Sequence, residues 1–398
     1  MHRSVPSSPT SRVKRHLAVA AAALIGVPGA AVVFTGPAAA QPLDSYCGNE
    51  TGNKSLEGFI SHEDLRRSLK QIEESSSGKV SVDIAGYSNQ GREIWTARVG
   101  EGDRVVLIQS QIHGNEMHGT AALLDTLRTL GNDSKRSAEI RKAVTVVAVP
   151  KLNPDGGELN TRQNARTWDD VVADFPQLAG ARPAWNYSSR IGGFDVNRDF
   201  NPNLDYVAQP GDFPGNSASV GWYITPEAQT VREVYRSLEQ EFGTVHVFAD
   251  LHNQAACYTG VGMDDFTSLS ISGRFISNPA QHGNWPKFNY DASRRVNVAV
   301  YDALQSGNSP QTKVTLYPQN TNLPGTALGS FALRGSATIL FETRGQTQSW
   351  GQKQHGMLTK QIEEGLFGIL DSITDGTLDN IDPERYELIP ERRNVPRS

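Results

Sequence analysis

Short β-branched apolar runs alternating with amphipathic stretches constrain this chain more than any other feature. Val105–Ile108, Val144–Val149, Val245–Leu251 and Ala337–Phe341 are bounded by polar loops, as buried strands are. Between and after them, Thr120–Leu130, Glu227–Phe242, Ala292–Leu304 and Gln352–Ile369 carry helical spacing, the second opened by the N-cap candidate Thr225 and by Pro226. Upstream, Ser61 and Asp64 resemble a capping box, and Leu65, Leu69 and Ile72 recur at helical spacing, which predicts a helix over about 62–75. Val80–Ile84 and Ile94–Val99 alternate instead and read as paired strands around Gly91. Alternation of strand and helix predicts an α/β fold with a sheet sandwiched by helices.

The ends of the chain read differently. Residues 1–40 combine basic residues through Arg15, an apolar run from Leu17 to Phe34 and the small-residue site Ala38–Ala40, which predicts a signal peptide cleaved before Gln41 and a secreted or envelope-associated protein. No later segment is apolar enough to span a bilayer, so no stable membrane insertion is expected once the signal is removed. In an oxidising compartment the two cysteines, Cys47 and Cys257, are expected to pair. Removing residues 1–40 leaves 34 basic side chains against 43 acidic ones, a formal charge of −9, and such an acidic body argues against nucleic acid as a partner. With no repeat and no linker, residues 41–372 are expected to form one domain, and 373–398 a polar tail or peripheral segment. Residues 153–223 show no sustained period and read as functional loops.

Signatures for P-loops, dinucleotide-binding glycines, Cys-x-x-Cys pairs, His-Glu-x-x-His and nucleophile elbows are missing from the sequence. His113-Gly114-Asn115-Glu116, directly after the run Val105–Ile108, offers an imidazole and a carboxylate that can converge on one tetrahedral zinc with room for a third ligand and water. Asp250-Leu251-His252 and Phe341-Glu342 end two other apolar runs. Ligand sites in open α/β sheets form beyond the carboxyl ends of strands, so these three groups should share one crevice. His246 lies six residues before His252, roughly 20 Å along an extended strand, and reads as a packed core histidine; His118 reads as solvated or as a neighbour of the ligands.

Together with Asn153-Pro-Asp-Gly156, Thr161-Arg-Gln-Asn164 and Asp195-Val-Asn-Arg-Asp-Phe200, these motifs, in this order, resemble the zinc carboxypeptidase family typified by the digestive carboxypeptidases A and B. The likeness runs from about Ser61 to Gly365. It implies a mixed, mostly parallel sheet, one Zn2+ held by His113, Glu116 and His252, and Glu342 as general acid and base. It further implies that Arg162 polarises the scissile carbonyl, that Asn197 and Arg198 grip the substrate's free α-carboxylate, and that Tyr317 is the nearest candidate for a mobile capping tyrosine. Asp195 fits as an acceptor for the distal nitrogen of His113. Asn115 replaces the arginine of the digestive enzymes, and the 72 residues between Gln41 and His113 leave no space for an independent pro-domain. Pro324–Gly329, expected to wall the side-chain pocket, carries no charge, so neutral or apolar C-terminal residues are expected. The expected substrate is a peptide or a cell-wall peptide, and the expected state a monomer. Competing readings are a peptidoglycan peptidase with the same site, an aspartoacylase-like deacylase and a binding module without catalysis; the export signal and the Phe-Glu-Thr-Arg ending favour the peptidase.

Overall fold

The structure is a computed structural model that describes residues 58–395 except 264, 307–312 and 346–350. The expected signal segment, Cys47 and the extreme C-terminus lie outside the described residues. In chain order the strands are β1 (Val80–Tyr87), β2 (Glu93–Val99), β3 (Arg104–Ser110), β4 (Val144–Val149), β5 (Tyr187–Ser188), β6 (Gly193–Phe194), β7 (Val247–Gln254), β8 (Tyr258–Gly260), β9 (Leu269–Ser272), β10 (Val314–Leu316), β11 (Ala337–Arg344) and β12 (Arg392–Asn394). The helices are α1 (His62–Ser75), α2 (His118–Leu130), α3 (Lys135–Ala143), α4 (Pro154–Leu159), α5 (Trp168–Asp174), α6 (Pro226–Phe242), α7 (Tyr290–Ser306), α8 (Ala327–Arg334) and α9 (Gly351–Thr374). Eight strands form one sheet in the order β1-β2-β4-β3-β7-β11-β9-β10. Its centre, β4-β3-β7-β11, is parallel, while β1, β2 and β9 make the antiparallel joins. This is the mixed, mostly parallel α/β sheet that the sequence predicts.

Strand periodicity sorts the central residues onto two faces. Val106, Ile108, Val146, Ala148, Val247, Ala249, Ile339 and Phe341 pack under α1, α2, α3, α7 and α9. Val105, Leu107, Val147, Val149, Phe248 and Leu340 face α6 and α8 on the other side. Continuing the second set by steps of two leads to Gln109 on β3, Asp250, His252 and Gln254 on β7, and Glu342 on β11. One face therefore changes from apolar to polar at the carboxyl ends of its strands, and the crevice forms there. Burial of this kind is expensive to remove: truncating a core leucine such as Leu107, 0% exposed, to alanine costs about 2–5 kcal/mol.

Helix α1 starts at Ser61, whose Oγ accepts from the Asp64 amide at 3.0 Å, and buries Leu65, Leu69 and Ile72. Thr225 departs from its expected role. It precedes α6 in extended conformation but gives the helix no side-chain cap; its hydroxyl and amide both donate to buried Asp199 Oδ2 at 2.7 Å. Asp199 also accepts from the Trp222 amide, so it ties the loop region to α6. His246 is half-buried at the entrance of β7, where its Nδ1 accepts from the Val105 amide at 3.0 Å, rather than packed in the core. Beyond α9, the chain returns across the molecule: Tyr386 and Ile389 are buried, and β12 pairs antiparallel with β8. Cys257, just before β8, is disulfide-bonded. No helix among the described residues is long and apolar enough to cross a membrane.

Candidate metal centre

The loop leaving β3 is fixed before it reaches its ligands. Gln111 takes a positive φ of 55°; its Nε2 donates to the Gly114 carbonyl at 2.7 Å and its Oε1 accepts from Thr120 Oγ1. Asn153 Nδ2 donates to the Ile112 carbonyl, while Asn153 Oδ1 accepts from the Gly156 amide and caps α4. The backbones of Gly114 and Gly156 then touch so closely that a Cβ on Gly114 would stand 2.0 Å from the Gly156 carbonyl carbon. This close approach accounts for Gly114, while a Cβ on Gly156 would meet the Gln163 carbonyl oxygen at 2.4 Å and the Asn153 side chain.

The fixed loop aims His113 and Glu116 at the end of β7. His113 Nδ1 lies 2.9 Å from Glu116 Oε1, His252 Nδ1 lies 2.8 Å from Glu116 Oε2, and the two Nδ1 atoms are 3.1 Å apart. All three residues are buried. Four ligands at a zinc–nitrogen distance of about 2.0 Å stand roughly 3.3 Å apart in a tetrahedron, so the donor set fits that ion in both chemistry and spacing. The imidazoles present their second nitrogens to carboxylates. His113 Nε2 donates to Asp195 Oδ1 at 3.2 Å, and Asp250 Oδ2 stands 2.9 Å from His252 Nε2. Glu116 Oε2 in turn accepts from the Asn253 amide at 3.1 Å, and the Asn253 side chain meets buried His118 Nδ1 at 2.9 Å. His118 is thus part of the support around Glu116. These outer partners fix ring orientation and ligand basicity.

Electrostatics follow the same geometry. Burial opposes ionisation of Glu116, yet His113 and His252 hold its carboxyl well below the usual range. Burial likewise opposes ionisation of Asp195, but His113, Arg162 and Arg198 keep it well below the ordinary value. For His252 burial disfavours the cation, and Asp250 with Glu116 overcomes it. Glu342 behaves in the opposite way: burial pushes its carboxyl up to about 7 against the pull of His252. Glu342 is the register partner of His252 on the adjacent parallel strand, which sets the two side chains side by side on one face.

Arg162 donates through Nε and Nη2 to Asp195 Oδ2 at 3.1 and 3.0 Å, and Nη1 reaches Glu116 Oε1 at 3.4 Å. Asn197 lies between the ligands and α8: its Nδ2 is 3.5 Å from His252 Nε2, and its Oδ1 accepts from the Ala327 amide at 3.0 Å. Arg198 Nη1 donates to the Asn197 carbonyl at 2.5 Å. Tyr317 follows β10, half-buried against the core that faces α6 and α8, and feels the charges of Glu342, Arg392, His252 and Arg198. Every site residue read from the sequence therefore lies around one crevice. Pro324–Gly329 is buried and leads into α8, capped by Thr326. Sequence reasoning also missed the supporting roles of Asp250 and Asn253, although Asp250, an acid on an otherwise apolar strand two residues before His252, was the available signal.

Three protein donors with carboxylate-backed imidazoles are the pattern of a catalytic zinc site, and zinc is the ion that His113, Glu116 and His252 serve. The chain belongs to the zinc carboxypeptidase family, whose model matches residues 65–370. Over 196 residues, 47% of this chain, it is 29% identical to carboxypeptidase E of Caenorhabditis elegans and spans 37% of that protein's length. In fold it is similar to bovine thrombin-activatable fibrinolysis inhibitor, solved with tick carboxypeptidase inhibitor, at a TM-score of 0.54 and 13% identity over 81% of this chain and 99% of that one. It is also similar to carboxypeptidase A of Helicoverpa armigera, at a TM-score of 0.50 and 16% identity over 81% and 77% of the two chains.

Proposed function

We propose that this chain is a secreted, monomeric zinc metallocarboxypeptidase that hydrolyses the C-terminal peptide bond of peptides, with Glu342 as general base and then general acid. The observation that carries this reading is the placement of Glu342 beside His252 on the next strand, on the face where all three ligands converge. Zinc, when bound, supplies a Lewis acid for the scissile carbonyl and makes water acidic near neutral pH. Glu342, with its carboxyl raised to about 7, is suited both to take a proton from the attacking water and to deliver it to the leaving amine. Arg162, oriented by two bonds to Asp195, presents positive charge where the carbonyl oxygen gains negative charge. Asn197 and Arg198 offer an amide and a guanidinium to the terminal carboxylate, whose planar shape suits a charge-assisted fork. Export to an envelope or extracellular setting rests on the expected signal in residues 1–40.

The test is to offer the zinc-loaded protein a panel of linear peptides and muropeptides and to identify products by mass spectrometry. Release of single C-terminal residues from linear peptides is the expected result. Cleavage confined to muropeptides would move the reading to a cell-wall peptidase, and internal cleavage would overturn it.

A further inference from the structure

Arg392 belongs to the returning C-terminal segment, 138 residues from its hydrogen-bond partner Gln254. On β12 it pairs with Gly260 of β8. Its guanidinium carbon stands 3.9 Å from the ring centroid of Tyr258 and 4.4 Å from that of Tyr317. Nη1 donates to Gln254 Oε1 at 2.7 Å. Two aromatic faces hold a guanidinium in place without neutralising it, and one amide uses one of its five N–H donors. Among the described residues no carboxylate pairs with it.

Gln254 is itself immobilised. It is buried, its Oε1 also accepts from Ser270 Oγ at 2.9 Å, and its Nε2 has no partner among the described residues. The strands place this assembly beside the metal ligands and Glu342. Gln254 lies two residues beyond His252 on the same face of β7, roughly 7 Å further along, and Ser270 is the register partner of Glu342 across β9 and β11. The charge of Arg392 reaches both Glu342 and Tyr317. A fixed, half-buried cation with spare donors and a buried unused amide beside it form a receptor for a planar anion.

We propose that Arg392 is a specificity residue that receives a second carboxylate of the substrate, separate from the terminal one assigned to Arg198, so that the protein favours peptides with an acidic side chain on one of the two residues flanking the cleaved bond. This rests on the carboxypeptidase reading above. It changes the expectation drawn from uncharged Pro324–Gly329, because the charge comes from the C-terminal segment and not from that wall.

The test compares zinc-loaded parent, Arg392→Glu and Arg392→Lys on N-blocked tripeptides with Glu, Leu or Lys at the last or the penultimate position. In the parent, kcat/KM for Glu should exceed that for Lys at least tenfold at one of these positions. Arg392→Glu should shift that ratio toward Lys by roughly a hundredfold, and Arg392→Lys should restore part of it. An unchanged Glu-to-Lys ratio at both positions in Arg392→Glu would overturn the proposal, as would a fall in all rates together with melting temperature, the behaviour of a structural strap. Should Arg392→Glu fail to fold, Arg392→Gln replaces it, with a ratio near unity expected and the parental ratio contradicting the proposal. A parent that removes no C-terminal residue would overturn the carboxypeptidase reading itself; a parent that does so with an insensitive ratio overturns this inference alone.

Discussion

The metal ligands grow from the central strands of the large sheet, whereas the rim around them comes from a loop, a turn and a separate two-stranded sheet, and the two are held in different ways. His113, Glu116 and His252 sit at the ends of β3 and β7, each with a further partner, Asp195, Asn253 or Asp250, on its far side. The rim residues Tyr317, Arg198 and Arg392 come from a loop after β10, a 3-10 turn and the last described strand, and rest on single hydrogen bonds and ring contacts. A centre supported from two sides keeps its geometry when one distant contact changes. A rim assembled from separate segments can alter its substrate preference without disturbing the metal.

The sharpest way to break this contrast is to change Glu342, which stands between the two regions. Glu342→Gln retains shape and loses basicity, so zinc content should match the parent while kcat falls about 10²–10⁴-fold; near-parental turnover would remove Glu342 from the mechanism. The same residue sets a pH dependence. In the proposed mechanism Glu342 works in its base form, so kcat/KM should fall as pH drops through its pKa. Burial pushes that carboxyl up to about 7 from 4.5, and a dication held by His113, Glu116 and His252 would draw it part of the way back. The acid limb of the pH profile should lie between those values and vanish in Glu342→Gln.

A smaller effect is expected from the support of the ligands. Asp250 is fully buried 2.9 Å from His252 Nε2, and Asp250→Asn should weaken zinc affinity about 10–100-fold, measured by competition with a chelator. Unchanged affinity would mean that His252 is oriented by its strand alone. Tyr317→Phe should have the smallest effect, less than about tenfold in kcat/KM with zinc affinity unchanged, because a ring face still remains for Arg392. A loss of zinc in that variant would show that rim and centre are coupled.

The centre was legible in the residues themselves, whereas Arg198 and Tyr317 of the rim came only through the family resemblance and Arg392 not at all. His113-x-x-Glu116, His252 and Glu342 each follow an apolar β-branched run, so strand periodicity and the location of crevices in α/β sheets bring them together without further information. The early helix is also local: Ser61, Leu65, Leu69 and Ile72 carry it, and α1 spans His62–Ser75. Arg392 lacks any such signal. It lies in a charged stretch with no clear period, and its partners Gln254, Tyr258 and Tyr317 are far away in sequence, joined to it through the β8–β12 pairing. Pro324–Gly329 is ambiguous for the converse reason. Its small, uncharged residues suit a pocket wall and a tightly packed helix start alike, and in the fold the segment is buried, leads into α8 and donates from the Ala327 amide to Asn197. Thr225 shows a related effect, since its hydroxyl turns to donate to Asp199 and does not accept from the first amides of α6.

Recognition of a free terminal carboxylate separates an exopeptidase from an endopeptidase built on this zinc site. The direct measurement is kcat/KM for a matched pair of peptides, one with a free C-terminal carboxylate and one amidated, in the zinc-loaded parent and in Arg198→Ala. The parent should cleave the acid far faster than the amide, and Arg198→Ala should lower the acid rate about tenfold to a hundredfold, the equivalent of a lost charge-assisted contact, with little change for the amide. Equal cleavage of acid and amide by the parent, or an unchanged ratio in Arg198→Ala, would contradict carboxypeptidase action at this site.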